Sequence, residues 1–271
     1  MLFRDVLRCP VCGAEVECDD KTLFCKGERR HSFDIAKEGY VNLADSRAAG
    51  GGDDAFLINA RVAFLGREHY RPFCDKVIAL LKEYTTGNTV LDAGCGEGYY
   101  TNHIAKAGFR VVGVDLSKRG VRAAAKAAKR EGGGACFAVA GVFDLPLADA
   151  SVDAVVSLFA PVAEAEFLRV LKPGGLLLVA GAGKDHLIDL KKVLYDDPRP
   201  NLTRADLPQN MKCVHEDKID FQMALGGEDI TNLFAMTPYY YRTSRESHQK
   251  LQNLSSLFCG AEMDIFLYQK S

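Results

Sequence analysis

Apolar positions recur at helical spacing across residues 54–82, through Phe56, Ala60, Ala63 and Phe64 and then Val77, Leu80 and Leu81. The pattern breaks near His69-Tyr-Arg-Pro72, where proline disfavours a continuous helix. From residue 90 the period switches repeatedly. Short apolar runs at 90–93, 111–115, 135–140, 152–158 and 176–180 read as buried strands, and the stretches 100–107, 119–129 and 164–171 between them read as helices. Such alternation predicts an α/β domain with a parallel sheet covered on both faces. Near the end, residues 218–225 and 262–269 read as two strands flanking one helix, an antiparallel finish.

Within that pattern one stretch organises the rest: Val90-Leu-Asp-Ala-Gly-Cys-Gly-Glu-Gly-Tyr-Tyr-Thr101. It predicts a buried strand that ends in a glycine-rich turn and opens a helix, which brings backbone N–H groups and a helix N-terminus close to a ligand. Asp92, Gly94, Gly96 and Gly98 have D-x-G-x-G-x-G spacing, not the dinucleotide or P-loop pattern, so a pyrophosphate ligand is not favoured. About twenty residues on, Arg110-Val-Val-Gly-Val-Asp115 forms a second strand whose terminal carboxylate suits the two hydroxyls of a ribose. Turn and carboxylate together resemble the cofactor half of a class I, Rossmann-like methyltransferase dependent on S-adenosylmethionine.

With 271 residues and 48% hydrophobic content, the chain can hold one large α/β domain and a small appendage. No run is long and apolar enough to span a bilayer, and the N-terminus is too charged for a secretory signal, so no membrane association and a cytoplasmic location are expected. A net charge of −2 gives no global signature of a nucleic-acid binder, so RNA contact must come from local patches. One such patch is the helix bearing Lys118, Arg119, Arg122, Lys126, Lys129 and Arg130, for which solvated surface is the competing explanation.

Nine irregularly spaced cysteines argue against a disulfide framework. Cys9-Pro-Val-Cys12 forms a knuckle whose two thiolates can reach one metal ion, and Cys25 and His31 complete a tetrahedral zinc set, with Cys18 as a competing ligand. A redox pair is the other reading of C-x-x-C. However, no thioredoxin-like pattern surrounds it, and a segment of about 35 residues needs a staple to fold.

The segment that follows, His31-Ser-Phe-Asp-Ile-Ala-Lys-Glu-Gly-Tyr-Val-Asn-Leu43, resembles the corresponding junction of the large-subunit (23S) ribosomal RNA guanine-N1 methyltransferases of the RlmA type. The resemblance continues through Asn59-Ala-Arg-Val-Ala-Phe-Leu65, Tyr70-x-Pro72, the 90–101 turn with Tyr99-Tyr100, the stretch 184–191 and Met236-Thr-Pro-Tyr-Tyr-Tyr-Arg242, so it covers essentially the whole chain. It implies that Tyr70 and His186 lie against the cofactor, with Glu97 and Tyr99 joining Asp92, Gly94, Gly96, Gly98 and Asp115. Adenine would be recognised through the backbone near Val142, because the acid usual in such proteins is here Gly141. Phe159-Ala160-Pro161 replaces the Asn/Asp-Pro-Pro-aromatic signature of amino-methylating relatives, which points to a ring nitrogen as target. The Met236 to Arg242 stretch is a candidate for stacking on a substrate base, with core aromatics as the competing explanation.

The implied reaction is methyl transfer from S-adenosylmethionine to N1 of a guanine in a 23S rRNA hairpin. A small-molecule methyltransferase and a non-catalytic zinc-bearing RNA-binding protein are the alternatives. Glu164, Asp144 and Glu166 are the nearest acids for the departing N1 proton, and none is singled out as the base. The expected division is a zinc-binding, RNA-docking segment over 1–38, a linker and helices over 39–85, and the methyltransferase domain over 86–271. A glycine-rich surface loop is expected over 46–54. The oligomeric state is open, with a homodimer as one candidate.

Overall fold

The computed structural model describes residues 5–44, 55–202 and 206–271, so the loop expected at 46–54 lies outside the described residues. The chain opens with a small antiparallel sheet of β1 (Val16–Cys18), β2 (Thr22–Cys25) and β3 (Ser32–Asp34). Next come β4 (Tyr40–Asn42), α1 (Ala55–Leu65) and α2 (Arg71–Tyr84). Helix α2 starts with Pro72 in its first turn, where a missing N–H costs nothing. The central layer then follows as β5 (Thr89–Ala93), α3 (Tyr99–Lys106), β6 (Arg110–Asp115), α4 (Lys118–Arg130), β7 (Ala135–Val139), β8 (Val152–Leu158), α5 (Glu164–Val170) and β9 (Leu171–Ala182). The chain ends with α6 (Ile188–Leu194), β10 (Lys212–Gly226), α7 (Gly227–Ala235), α8 (Arg245–Gln252) and β11 (Ser256–Gln269).

Eight strands form one sheet in the order β10-β11-β9-β8-β5-β6-β7-β4. Strands β9, β8, β5, β6, β7 and β4 run parallel, and β11 and β10 pair antiparallel, as the alternating pattern predicts. Strand order reverses between β8 and β5. A ligand in such a sheet binds outside the carboxyl ends of the strands at this switch point.

Three details differ from the sequence reading. The closing strands are longer than expected, beginning at Lys212 and Ser256, and two helices rather than one lie between them. Lys172 to Gly175, which lie between the helix expected at 164–171 and the strand expected at 176–180, form the start of β9, where Gly174 takes φ +74° and the pairing with β8 slips between Val152 and Ala154. Within the stretch expected to be a linker, Tyr40–Asn42 adds a parallel strand to β7 at the sheet edge. Residues 140–151 cross from β7 to β8 without a helix, as the sequence pattern also has it, and the N-terminal segment covers the sheet there.

That last point explains how so small a segment is held. Val6, Leu7, Val16 and Leu23 are buried in the same cluster as Leu91, Val112, Val114 and Leu177 of the sheet. Each fully buried Val or Leu contributes about 1.5–3 kcal/mol gross. Main-chain bonds from Arg8 N–H to Pro146 O (2.8 Å) and from Ala148 N–H to Val6 O (2.8 Å) stitch the two parts together. On the opposite face, α4 packs Val121, Ala124, Ala125 and Ala128 against Phe137 and Val139.

Candidate cofactor site and metal centre

Gly94, Gly96 and Gly98 all have positive φ, at +86°, +54° and +81°, in the turn between β5 and α3. At two of these positions packing makes the same demand. A Cβ on Gly94 would lie 2.5 Å from the Ala160 Cβ, and one on Gly98 would lie 2.4 Å from the Ala124 Cβ. The turn is therefore clamped between the loop after β8 and helix α4. Asp115, at the end of β6, accepts from Gly96 N–H (2.9 Å) and Ser117 N–H (2.7 Å), which ties the second strand to the turn and fixes the carboxylate. Ser117 in turn caps α4, its hydroxyl oxygen accepting from Gly120 N–H at 3.1 Å.

Asp92 lies beneath the turn, 2% exposed, and accepts from the Thr101 hydroxyl at 2.6 Å. Burial, with Asp115 and Glu97 nearby, pushes its carboxyl up to about 7. Glu97 is buried as well and is also raised by desolvation. Arg61 of α1 reaches the same place, with its guanidinium 4.0 Å from where a Gly96 Cβ would sit and its charge acting on Glu97. Tyr99 faces the other way, donating its hydroxyl to Glu68 at 3.3 Å.

Tyr70 and His186, 116 positions apart in the chain, meet with 3.3 Å between the phenol oxygen and Nε2. The His186 Nδ1 accepts from Glu262 N–H at 3.2 Å, and burial pushes the imidazole down to about 4, so the ring is neutral. A neutral ring that accepts at Nδ1 carries its proton on Nε2 and donates it to Tyr70. Both rings border Phe159, with centroids 6.5 and 6.0 Å away. Phe159 has φ +54°, a strained conformation for an aromatic residue, and it is 45% exposed at the carboxyl end of β8. The strain is held from several directions. Phe159 N–H donates to Ala180 O at 2.9 Å, and the buried Ser157 shares its hydroxyl proton between the carbonyls of Ala160 and Pro161 at 3.2 Å each.

Val142 is buried beside Leu145 and Leu147, while its neighbours Phe143 (68%) and Leu116 (39%) leave apolar surface exposed. In the aromatic stretch near residue 240, two of the three tyrosines take the core part that competes with base stacking. Tyr239 donates to Asn201 Oδ1 (3.1 Å), and Tyr240 packs on Phe56, Phe234 and His248, leaving Tyr241 exposed. Asn201 also donates to the carbonyls of Gly183 and His186 and accepts from Lys191, so residues 195–202 are tied down beside the His186 loop. Of the acids near the site, Glu164 accepts from the N–H groups of Gln209 and Asn210, and Glu166 sits in the guanidinium fork of Arg169 and accepts from Leu145 N–H. Both are committed to holding loops.

In the N-terminal segment, one donor atom each from Cys9, Cys12, Cys25 and His31 lies within 4.8 Å of the other three. Separations of 3.5 Å (Cys9–His31) and 3.6 Å (Cys12–His31) match a tetrahedral zinc set, where bond lengths place ligand atoms about 3.5–3.8 Å apart, and the Cys12 and Cys25 sulfurs lie closer, at 3.2 Å. Cys18 stands apart, its thiol donating to Asp19 O. Gly27, which the sequence reading passed over, donates its N–H to Cys25 Sγ at 3.1 Å, and a Cβ there would press on both Cys12 and Cys25 sulfurs.

Comparison with known proteins agrees with this geometry. Residues 7–44 match the family model described as "RlmA, N-terminal", a zinc ribbon, and residues 90–175 match the model "Methyltransferase domain". A putative 23S rRNA (guanine-N(1)-)-methyltransferase of Micromonospora griseorubida is 35% identical, covering 88% of this chain and 87% of the relative. One from Bacillus subtilis, YxjB, is 31% identical over 98% and 97%. The 23S rRNA (guanine(748)-N(1))-methyltransferase of Streptomyces fradiae is 32% identical over 86% and 84%. With a zinc-ribbon match, a methyltransferase-domain match and relatives aligned nearly end to end, the chain belongs to the RlmA-type 23S rRNA (guanine-N(1)-)-methyltransferase family.

Proposed function

We propose that this chain transfers the methyl group of S-adenosylmethionine to N1 of a specific guanine in a hairpin of 23S rRNA. One observation carries the reading: a cofactor turn locked by Asp115 and a four-ligand Cys/His cluster occur together in a chain of this family. The cofactor supplies an activated methyl on a sulfonium, and the protein's share is to align donor and acceptor. Asp115 suits the ribose hydroxyls, and the N–H groups of the glycine turn with Glu97 and Asp92 suit the amino-acid end. Tyr70 and His186 wall the methyl end, and Val142 with Leu116 and Phe143 borders the adenine. Cys9, Cys12, Cys25 and His31 hold zinc. Phe159, a strained and exposed aromatic at the end of β8, is the face on which the target guanine stacks.

In this reading residues 1–38 dock RNA through basic side chains such as Arg29, residues 39–85 connect and lend Tyr70 to the site, and residues 86–271 catalyse. Ribosomal RNA as substrate supports a cytoplasmic location. No helix among the described residues is long and apolar enough to cross a membrane. Homodimer assembly is part of the same proposal, supported by the apolar pair Phe56 and Val62 on the outer side of α1, about half exposed.

The test is incubation with labelled S-adenosylmethionine and unmodified 23S rRNA, followed by primer extension. A single stop at a hairpin guanine is the expected result. Cofactor binding with no label in RNA would reject the reading in favour of a small-molecule substrate.

A further inference from the structure

Helix α4 reads Lys118-Arg-Gly-Val-Arg-Ala-Ala-Ala-Lys-Ala-Ala-Lys-Arg130, with six cations and no acid. At about 100° per residue, all six fall within an arc of about 120°, spread over about 18 Å of helix axis. All six are exposed, while the alanine side is buried. A chain of net charge −2 thus concentrates six positive charges on one face. Arg122 pairs with Glu38 (2.9 Å) and Arg130 with Glu131 (3.0 Å). Lys129 donates to the Lys37 carbonyl, which leaves its charge uncompensated. Lys118, Arg119 and Lys126 have no acidic partner among the described residues.

This arrangement is unfavourable in the free protein. Like charges four apart, as in 118/122, 122/126 and 126/130, destabilise a helix by about 0.2–0.5 kcal/mol per pair. A bound polyanion removes that repulsion. The zinc segment cannot supply the missing positive field by itself, because residues 1–38 hold seven basic and eight acidic side chains. Two of its bases are already engaged, Lys26 with Glu15 and Arg30 with Glu17. The helix is also well placed. It starts three residues after Asp115 at the cofactor end of the sheet, and the bonds to Lys37 and Glu38 join its flank to the zinc segment.

We propose that this face of α4 is a phosphate-docking track for the stem of the substrate RNA, running from the edge of the zinc segment to the cofactor site. The inference rests on the rRNA-methylating reading above. Its recognition is of backbone charge and not sequence, so it positions the stem while the target base enters at Phe159.

The test compares two triple variants of the full-length, zinc-loaded protein. One is Lys118→Ala, Arg119→Ala, Lys126→Ala, and the other, with equal charge loss on α2 and α8, is Lys82→Ala, Arg245→Ala, Lys250→Ala. RNA binding is measured against salt, with methylation kinetics and S-adenosylmethionine affinity alongside. The α4 variant is expected to flatten the log–log salt slope by about 2–3 and to weaken RNA binding at low salt by about a hundredfold. It should raise the KM for RNA and leave cofactor affinity, which reports the intact fold, unchanged. The control should change the slope by less than about one. Equal effects of the two variants, or an unchanged slope in the first, overturn the track. Failure of the unaltered protein to bind RNA overturns the track and the proposed function together, whereas an active unaltered protein matched by the α4 variant overturns only the track.

Discussion

Replacing Gly94 with alanine should injure the cofactor turn in two ways that can be separated. The φ of +86° places a side chain in the left-handed region, at about 1–2 kcal/mol. The new Cβ would also lie 2.5 Å from the Ala160 Cβ, where carbons in contact keep about 3.5–4.0 Å. Ala160 cannot retreat easily, because Ser157 binds the carbonyls of Ala160 and Pro161 and Phe159 N–H is held by Ala180. Overpacking of this kind costs about 1–3 kcal/mol, so the single variant should lose about 2–5 kcal/mol of stability. Adding Ala160→Gly removes the obstructing methyl and leaves only the backbone strain. A double-mutant cycle in denaturant should therefore return a favourable coupling of about 1–3 kcal/mol. Gly39→Ala, at φ +101° with nothing within 4 Å of the added Cβ, measures the strain alone. Additive effects of Gly94→Ala and Ala160→Gly would refute the view that these two turns buttress each other.

Four further outcomes follow from the site. His186 is held neutral by burial, with its imidazole pushed down to about 4 from 6.5, so the folded state binds fewer protons than the unfolded one. The His186 contribution to stability is full above about pH 6.5 and should fall by about 3 kcal/mol as pH drops to 4. Asp92, raised to about 7 by burial, contributes with the opposite sign over this range, so the His186 part is read as the difference in the pH dependence of the denaturation midpoint between the unaltered protein and His186→Gln. Asp92, raised to about 7, is partly protonated near neutrality, and a cationic cofactor favours its carboxylate. Binding of S-adenosylmethionine should then release protons and weaken below pH 7. Calorimetry in buffers of different ionisation enthalpy would detect the release, and its absence would count against contact with Asp92. Gly27→Ala should crowd the Cys12 and Cys25 sulfurs and lower zinc affinity about tenfold in chelator competition. Phe159→Ala should reduce RNA methylation by about ten- to a hundredfold through lost stacking, and unchanged rates would reject its role with the guanine.

Much of the site is legible because its signals are local. The glycine turn, Asp115 at a fixed distance beyond it, and the Cys9/Cys12 knuckle each depend on backbone conformation or spacing within one supersecondary unit. Other features give no such sign. Gly27, Ser157, Asn201 and Arg61 look ordinary in sequence because their roles depend on partners in distant segments. The tyrosines near residue 240 stay ambiguous in sequence for the same reason. Aromatic residues suit a core as well as a stacking platform, and only the packing shows Tyr239 and Tyr240 engaged and Phe159 exposed.

Contiguous residues already specify the alternating α/β architecture, the glycine-rich turn and the Cys9/Cys12 knuckle, because hydrophobic period and short-range geometry are local properties, while the choice of Cys25 and His31 over Cys18 as their companions waits for the fold. Tertiary structure alone decided that the zinc segment replaces a helix as a covering layer of the sheet and that Tyr70 meets His186. It also decided that a phenylalanine is held in a strained conformation beside them. Each of these depends on contacts between residues far apart in the chain, whose positions are set only when the sheet assembles and its faces are filled.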